Sequence, residues 1–274
     1  MIARWALLLI TLTLTACSAA PLEPDITPSP TPDPWKHPLE GIDRLTLPLP
    51  TREGGEIIVQ VVRLDPARFD LGVQYDPEQP RTIAGWGERT RAALVVNAGF
   101  FEPDYRSTAL IVVDGVLYGE SFDRSDVARW RRLGGMFSVV NGEPDVRWLA
   151  QEPYRPGEPL DQAVQGFPML IAPGGMPLDL DLPDRAARRT VIAQDAQGRL
   201  LLMVIDGPAS LYEVRGWLAG NPVLAVDAAL NLDGGKSSGL VLALPHDTLT
   251  IDSEARVPGV ITAYPRAEGQ SGGE

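Results

Sequence analysis

Two aspartates are the residues of this chain best placed to do chemistry, because each ends an apolar run and each is followed by glycine. Asp206 follows the run at 200–205 and precedes Gly207. Asp233 follows the run at 222–230 and precedes Gly234 and Gly235, with Lys236, Ser237 and Ser238 behind them. A carboxylate held at such a position can serve as acid, base, nucleophile or metal ligand. The paired glycines let a ligand come close to the main chain. The consecutive N–H groups of Gly234, Gly235, Lys236 and Ser237 could also form an anion-binding nest. A tight turn with a capping Asp is the alternative for this stretch, since Gly and Asp dominate turns on conformational grounds alone.

Other chemistries lack parts. Gly235-Lys236-Ser237 looks like the end of a phosphate-binding P-loop, but that motif needs glycine five residues before its last one. Position 230 is Leu230, so a nucleotide-hydrolysing P-loop is excluded. His37 lies in a proline-rich segment, and His246 reads most simply as an exposed hairpin tip, so a Ser–His–Asp triad or a histidine zinc site has little material. Cys17 is the only cysteine, which rules out an intrachain disulfide. Carboxylates, hydroxyls and arginines remain, and these suit glycoside chemistry.

Two further segments bear on that chemistry. Residues 94–101, Leu-Val-Val-Asn-Ala-Gly-Phe-Phe, end an apolar run on Asn97 and continue into Gly99, Phe100 and Phe101. Residues 188–207 read as strand, Asp195-Ala196-Gln197-Gly198 turn, strand, with Arg188 and Arg189 at one end and Asp206-Gly207 at the other. Taken in order with residues 231–238, they resemble the phosphodiester glycosidase family over residues 57–264. The family pattern runs Asn-Gly-Gly-Phe-Phe, Arg-Thr, Asp-Gly and Asn-Leu-Asp-Gly-Gly-Gly-Ser. The chain departs from it at Ala98 and Lys236, where the family has glycine. The resemblance implies a hydrolase that cleaves the bond from a sugar to a phosphodiester, and bacterial relatives that are often exported and linked to exopolysaccharide.

A sugar-1-phosphodiester asks for little acid catalysis, since phosphate is already a weak base. It needs a carboxylate beside the anomeric carbon and positive donors on the phosphate. Asp233 and Asp206 are the expected catalytic pair, with Asp227 in reserve. Arg189 is the expected phosphate clamp, because a guanidinium binds two oxygens at once. Arg188 is expected on the opposite, exposed face. Asn97 could hold a sugar hydroxyl or orient a carboxylate, and Phe100 and Phe101 could stack on a sugar or pack in the core. Gly234, Gly235, Lys236 and Ser237 complete the expected substrate contacts. Oxygen ligands alone could hold Ca²⁺ or Mg²⁺, but no EF-hand spacing occurs, so no cofactor is assigned and no metal ligand is named. A non-catalytic glycan-binding lipoprotein and a transglycosylase in polymer assembly are the competing readings.

The elements that must position these residues read mainly as strands. Apolar or alternating runs at 56–64, 69–75, 93–97, 109–113, 136–140, 169–172, 190–193, 200–205 and 240–244 lie between Gly, Pro and Asp signals. Asp114-Gly115 reads as a hairpin turn. Residues 82–93 and 210–219 read as helices, the second with a capping box from Ser210 to Glu213. There is no repeat and no regular β–α alternation, so the expected class is α+β, with mixed, mostly antiparallel curved sheets, a few packed helices and one domain over 41–265.

The ends of the chain carry a different signal. Arg4, the apolar residues 6–14 and Leu14-Thr15-Ala16-Cys17 resemble an export signal over 1–16 with a lipobox, Cys17 being the lipidation site. Residues 17–40 hold seven prolines, at 21, 24, 28, 30, 32, 34 and 38, and read as a tether. Residues 266–274 read as a flexible tail. The expected location is thus extracytoplasmic, with the membrane as a partner through the lipid anchor and a carbohydrate or sugar phosphate as substrate. The formal charge of −12 disfavours a nucleic-acid partner.

Overall fold

A computed structural model describes residues 33–122, 127–183 and 185–266. The expected signal segment, Cys17 and most of the expected tether and tail lie outside the described residues. The described residues from Pro34 onward form one compact unit.

Three sheets build it, and the pairings within them are antiparallel. The largest has eight strands, with Ile42–Pro50, Glu56–Leu64, Leu200–Ala209, Ala187–Asp195, Val226–Asn231 and Met169–Ala172 consecutive at its centre. The apolar run at 200–205 has no polar face because Leu200–Ala209 is an inner strand, and all six of these residues are buried. A five-stranded sheet carries Ile111–Val113, Gln162–Gly166 and Gly135–Val140 at its centre. A second one carries Leu240–Ala243, Leu94–Asn97 and Gly259–Pro265. One large apolar cluster draws residues from all three, including Val204, Phe137 and Leu94. The α+β expectation holds.

Short-range signals are realised as read. Asp114 and Gly115 both take positive φ (48° and 78°) in the hairpin joining Ile111–Val113 to Val116–Tyr118. Helix α1 (Ile83–Thr90) is capped by Thr82 and stops at Arg91, so Ala92 and Ala93 are not helical. Helix α2 (Ala128–Leu133) was not expected from the sequence. Helix α3 (Leu211–Ala219) shows the capping box, with Glu213 N–H donating to Ser210 Oγ at 3.2 Å and Ser210 N–H to Glu213 Oε2 at 2.9 Å. His246 is exposed in the turn between Leu240–Ala243 and Thr248–Ile251, as expected.

The domain begins earlier than residue 41. Lys36–Leu39 is a strand paired with Ile42–Pro50. Trp35 is buried beneath the Arg63 guanidinium, 3.9 Å from its ring. Arg63 is held by Asp43 at 2.5 Å, and His37 Nδ1 meets the other oxygen of Asp43 at 2.6 Å. Proline density hid this segment, although Pro38 sits on an edge strand where its missing N–H costs nothing.

Candidate active site

Three of the motifs converge at one place. Val226–Asn231 pairs with Ala187–Asp195 in register Val191↔Asn231, and Leu232 N–H continues the ladder to Thr190 O at 2.9 Å. The chain then turns, and Asp233 N–H reaches Ala98 O at 3.2 Å, just after the end of Leu94–Asn97.

Asn97 is the knot between them. It is 1 % exposed, and Nδ2 donates to Asp233 O at 2.8 Å and to Ala98 O at 3.5 Å. Its Oδ1 accepts from Thr190 Oγ1 at 2.7 Å and from Gly239 N–H at 3.2 Å. An amide side chain offers two donors and two acceptor lone pairs, and all four are used within the protein. Asn97 therefore positions the Asp233 turn and has no capacity left for a sugar. Its bond is to the Asp233 carbonyl, not to the carboxylate. Asn231 plays a related part on the other side. Its Nδ2 donates to Phe167 O and Leu232 O at 2.7 Å each, while its buried Oδ1 has no partner among the described residues.

The two glycines after Asp233 have separate reasons. A Cβ on Gly234 would stand 2.9 Å from Arg188 O, so the backbones approach too closely for a side chain. Gly235 has φ +62° and open space around it. A short 3-10 turn, Gly235–Ser237, follows. Two donors of the expected anion nest, Gly234 and Ser237 N–H, are committed within the turn. Gly234 N–H donates to Asp233 Oδ1 at 2.8 Å, and Ser237 and Ser238 N–H donate back to Gly234 O and Gly235 O at 3.3 Å. These donors serve the turn and its own carboxylate. Lys236 is exposed and makes no ion pair among the described residues; its carbonyl accepts from Ala255 N–H at 2.9 Å.

Asp233 is part-buried, and desolvation raises its pKa above the ordinary carboxylate value. The Ser237 hydroxyl and Gly234 N–H oppose that rise, and no neighbouring charge contributes. This is a carboxylate held in a low-dielectric place without a cation to neutralise it, the usual setting of a functional acid or base.

Asp206 is not its close electrostatic partner, against expectation. Its side chain is 46 % exposed and pairs with Arg188 Nε at 2.9 Å. Arg188 is correspondingly not the exposed neighbour expected from strand alternation. Its side chain is 15 % exposed, with NH1 and NH2 3.4 Å from Asp252 O. The antiparallel register, with Arg189 opposite Ile205, already sets Arg188 opposite Asp206, and the two side chains meet across the strands. Asp227 accepts Gly174 N–H at 3.1 Å, a turn role.

Arg189 lies beside the site, its NH1 3.7 Å from where a Cβ on Gly234 would be. Part of its fork is committed, Nε donating to Ala209 O at 3.0 Å and NH2 to Arg185 O. It lines a cleft of about 350 Å³ with Arg129, Arg185, Trp130, Phe167 and Leu211. Among the described residues neither Arg129 nor Arg185 pairs with a carboxylate. Three guanidiniums thus line one cleft of an acidic chain.

Phe100 and Phe101 wall an adjoining cavity of about 280 Å³, together with Thr108, Phe122, Trp130 and Phe167. Phe101 also stacks on Tyr105 at 5.8 Å. Trp130 and Phe167 border both spaces. The sequence reading named only Phe100 and Phe101. Phe122, Trp130, Phe167 and the two further arginines come from separate segments, and no spacing links them. Among the described residues, no three His, Cys, Asp or Glu side chains gather in a way that could hold a metal ion.

Comparisons with known proteins bear on the family and the fold. The model of the phosphodiester glycosidase family matches residues 90–264. The catalytic domain of zebrafish N-acetylglucosamine-1-phosphodiester alpha-N-acetylglucosaminidase, auto-inhibited by its pro-peptide, superposes with TM-score 0.62 at 17% identity, covering 87% of this chain and 85% of that one. A hypothetical protein from Synechocystis superposes with TM-score 0.59 at 18% identity, covering 86% of this chain and 64% of that one. At such identities the likeness is one of fold. No curated protein matches by sequence.

Proposed function

The chain belongs to the phosphodiester glycosidase family, and from that premise we propose that it hydrolyses the bond between a sugar's anomeric carbon and a phosphodiester, with Asp233 as the catalytic carboxylate. The observation that carries this is the setting of Asp233. It is desolvated, unpaired with any cation, and held by the Asn97–Thr190 network at the end of a strand. An arginine cleft begins at its neighbour Gly234.

The chemistry follows from those parts. Arg189, with Arg185 and Arg129, binds the phosphate oxygens and stabilises charge on the departing phosphate. The leaving group needs no strong acid, which fits a site with one buried carboxylate rather than a tight pair. Asp233 supplies negative charge at the anomeric carbon, where the transition state resembles an oxocarbenium ion. Its raised pKa makes the Asp233 carboxylate a stronger base than a solvated one.

The N-terminal sequence extends the proposal to location: an exported lipoprotein held by Cys17 and acting on a glycan or cell-envelope polymer outside the cytoplasm. The test is release of free sugar from a sugar-1-phosphodiester such as methyl-phospho-N-acetylglucosamine. Release by the wild type and its loss in Asp233→Asn support the reading. Saturable binding of the diester without release would make the protein a glycan binder, and longer products would make it a transglycosylase.

A further inference from the structure

The aromatic cavity asks for a ligand chemistry that a bare sugar does not have. Five of its six wall residues are Phe100, Phe101, Phe122, Trp130 and Phe167. Phe122 and Trp130 are tilted at 60° with centroids 5.4 Å apart, Phe122 and Phe167 lie at 70° and 6.5 Å, and Trp130 and Phe167 at 55° and 6.4 Å. These rings surround a space rather than present one flat platform. Among the described residues the sole polar wall residue is Thr108, whose buried Oγ1 has no partner there. A pyranose brings several hydroxyls, and each one buried without a partner costs about tenfold in affinity. An apolar chain brings none.

Size argues the same way. An apolar cavity of roughly 150 Å³ accepts benzene. At about 280 Å³ this one exceeds what a methyl or acetyl group would fill. Aromatic walls also attract quaternary ammonium groups, but among the described residues no carboxylate lines this cavity. Across its shared Trp130 and Phe167 wall stand Arg129, Arg185 and Arg189, which repel a cation and hold a phosphate.

We propose that this cavity binds an alkyl or acyl group of about six or more carbons carried by the substrate, so that the diester cleaved is an amphiphile with its phosphate in the arginine cleft. The inference rests on the phosphodiester reading above for the substrate. The chain could be borne by the phosphate, as a lipid-type alcohol, or by the sugar, as an acyl substituent. The chemistry of the subsite is the same for both.

Calorimetric binding tests it without requiring turnover. Methyl, butyl, hexyl and octyl phosphate, which have no sugar, should bind progressively tighter, by about three- to fourfold per methylene, and level off once the cavity is full. Trp130, part-exposed on α2, is the wall residue whose removal should leave the fold intact. Trp130→Ala should reduce the gain to below about twofold per methylene. Two sugar series then locate the chain: alkyl diesters of N-acetylglucosamine 1-phosphate, and methyl diesters with lengthened N-acyl groups. The series that shows the gain carries the group. A flat alkyl phosphate series, an unchanged slope in Trp130→Ala, or tighter binding of choline phosphate than of hexyl phosphate would overturn the proposal. Chain-length dependence in a protein that hydrolyses no diester would leave it standing and fault the catalytic reading instead.

Discussion

At the scale of residues, the catalytic role proposed for Asp233 and its cost to stability separate with pH. Its folded pKa is raised, so the folded state holds the proton more tightly than the unfolded chain. The sign of the linkage is then fixed: the associated stability is present below the unfolded pKa and is lost as pH rises through the raised folded value. Asp233→Asn removes the ionised, desolvated charge while its amide oxygen still accepts Gly234 N–H. Its melting temperature should therefore exceed that of the wild type at pH 8, and the gap should close as pH falls through the acid range. Turnover of a sugar-1-phosphodiester should fall by roughly 10²-fold or more. A variant both folded and near-normally active would remove Asp233 from the mechanism. Asp206→Asn is the counterpart. Its exposed ion pair with Arg188 predicts a change in kcat/KM within about fivefold, and a loss as deep as that of Asp233→Asn would restore it to the catalytic centre. Arg189→Lys should lower kcat/KM strongly, since an ammonium cannot hold Ala209 O and Arg185 O and still turn a donor to the phosphate. An activity equal to the wild type would free Arg189 of that role.

At the scale of elements, the Asp233 turn is fixed by three segments that share hydrogen bonds, and its two glycines can be tested apart. Gly234→Ala places a Cβ against Arg188 O, a backbone atom that cannot swing aside. It should cost about 1–3 kcal/mol in denaturant unfolding and, by displacing Asp233 against Arg189, on the order of 10²-fold in kcat. Gly235→Ala meets open space and pays only for its left-handed φ, about 1 kcal/mol, with a smaller loss of turnover. Equal effects at both positions would contradict the close approach of Arg188. Much of this geometry was legible in the sequence. The apolar runs ending at Asn97, at Asp206 and before Asp233 are all strands, because inner strands of a covered sheet need apolar residues on both faces. The Ser210 capping box and the Asp114-Gly115 turn are local chemistry and appear as read. What stayed hidden is what only tertiary packing decides. Strand alternation put Arg188 on an exposed face, but Asp206 across the strand pair and Asp252 O cover it. Lys36–Leu39 was masked by prolines that an edge strand tolerates. The aromatic cavity unites residues from 100 to 167 whose separations follow no period.

At the scale of the whole molecule, an acidic protein must bind an anion through a local reversal of charge. The formal charge of −12 repels polyanions from the general surface, while Arg129, Arg185 and Arg189 concentrate positive potential in one cleft. Such a protein would gain from being held near its substrate, and the lipoprotein anchor proposed above would do so. The basic Arg4, the apolar residues 6–14 and Leu14-Thr15-Ala16-Cys17 together give the pattern of a cleaved and lipidated export signal. One acyl chain alone anchors only marginally, so stable attachment requires the multiple acylation that a lipobox cysteine receives. Cys17 is the only thiol in the chain, which makes the prediction clean. The mature wild-type protein should begin at Cys17, carry the mass of a lipid, and sediment with membranes. Cys17→Ser should abolish that added mass and release the protein or leave it unprocessed. Its folded domain starts at Trp35, so the purified variant should keep wild-type turnover on a soluble diester. On a membrane-bound amphiphilic diester the same variant should lose rate, since the anchor raises the effective concentration of site and substrate. A mature N-terminus elsewhere, without lipid, would sink the anchor, and equal rates on the membrane-bound substrate would show that tethering does not serve catalysis.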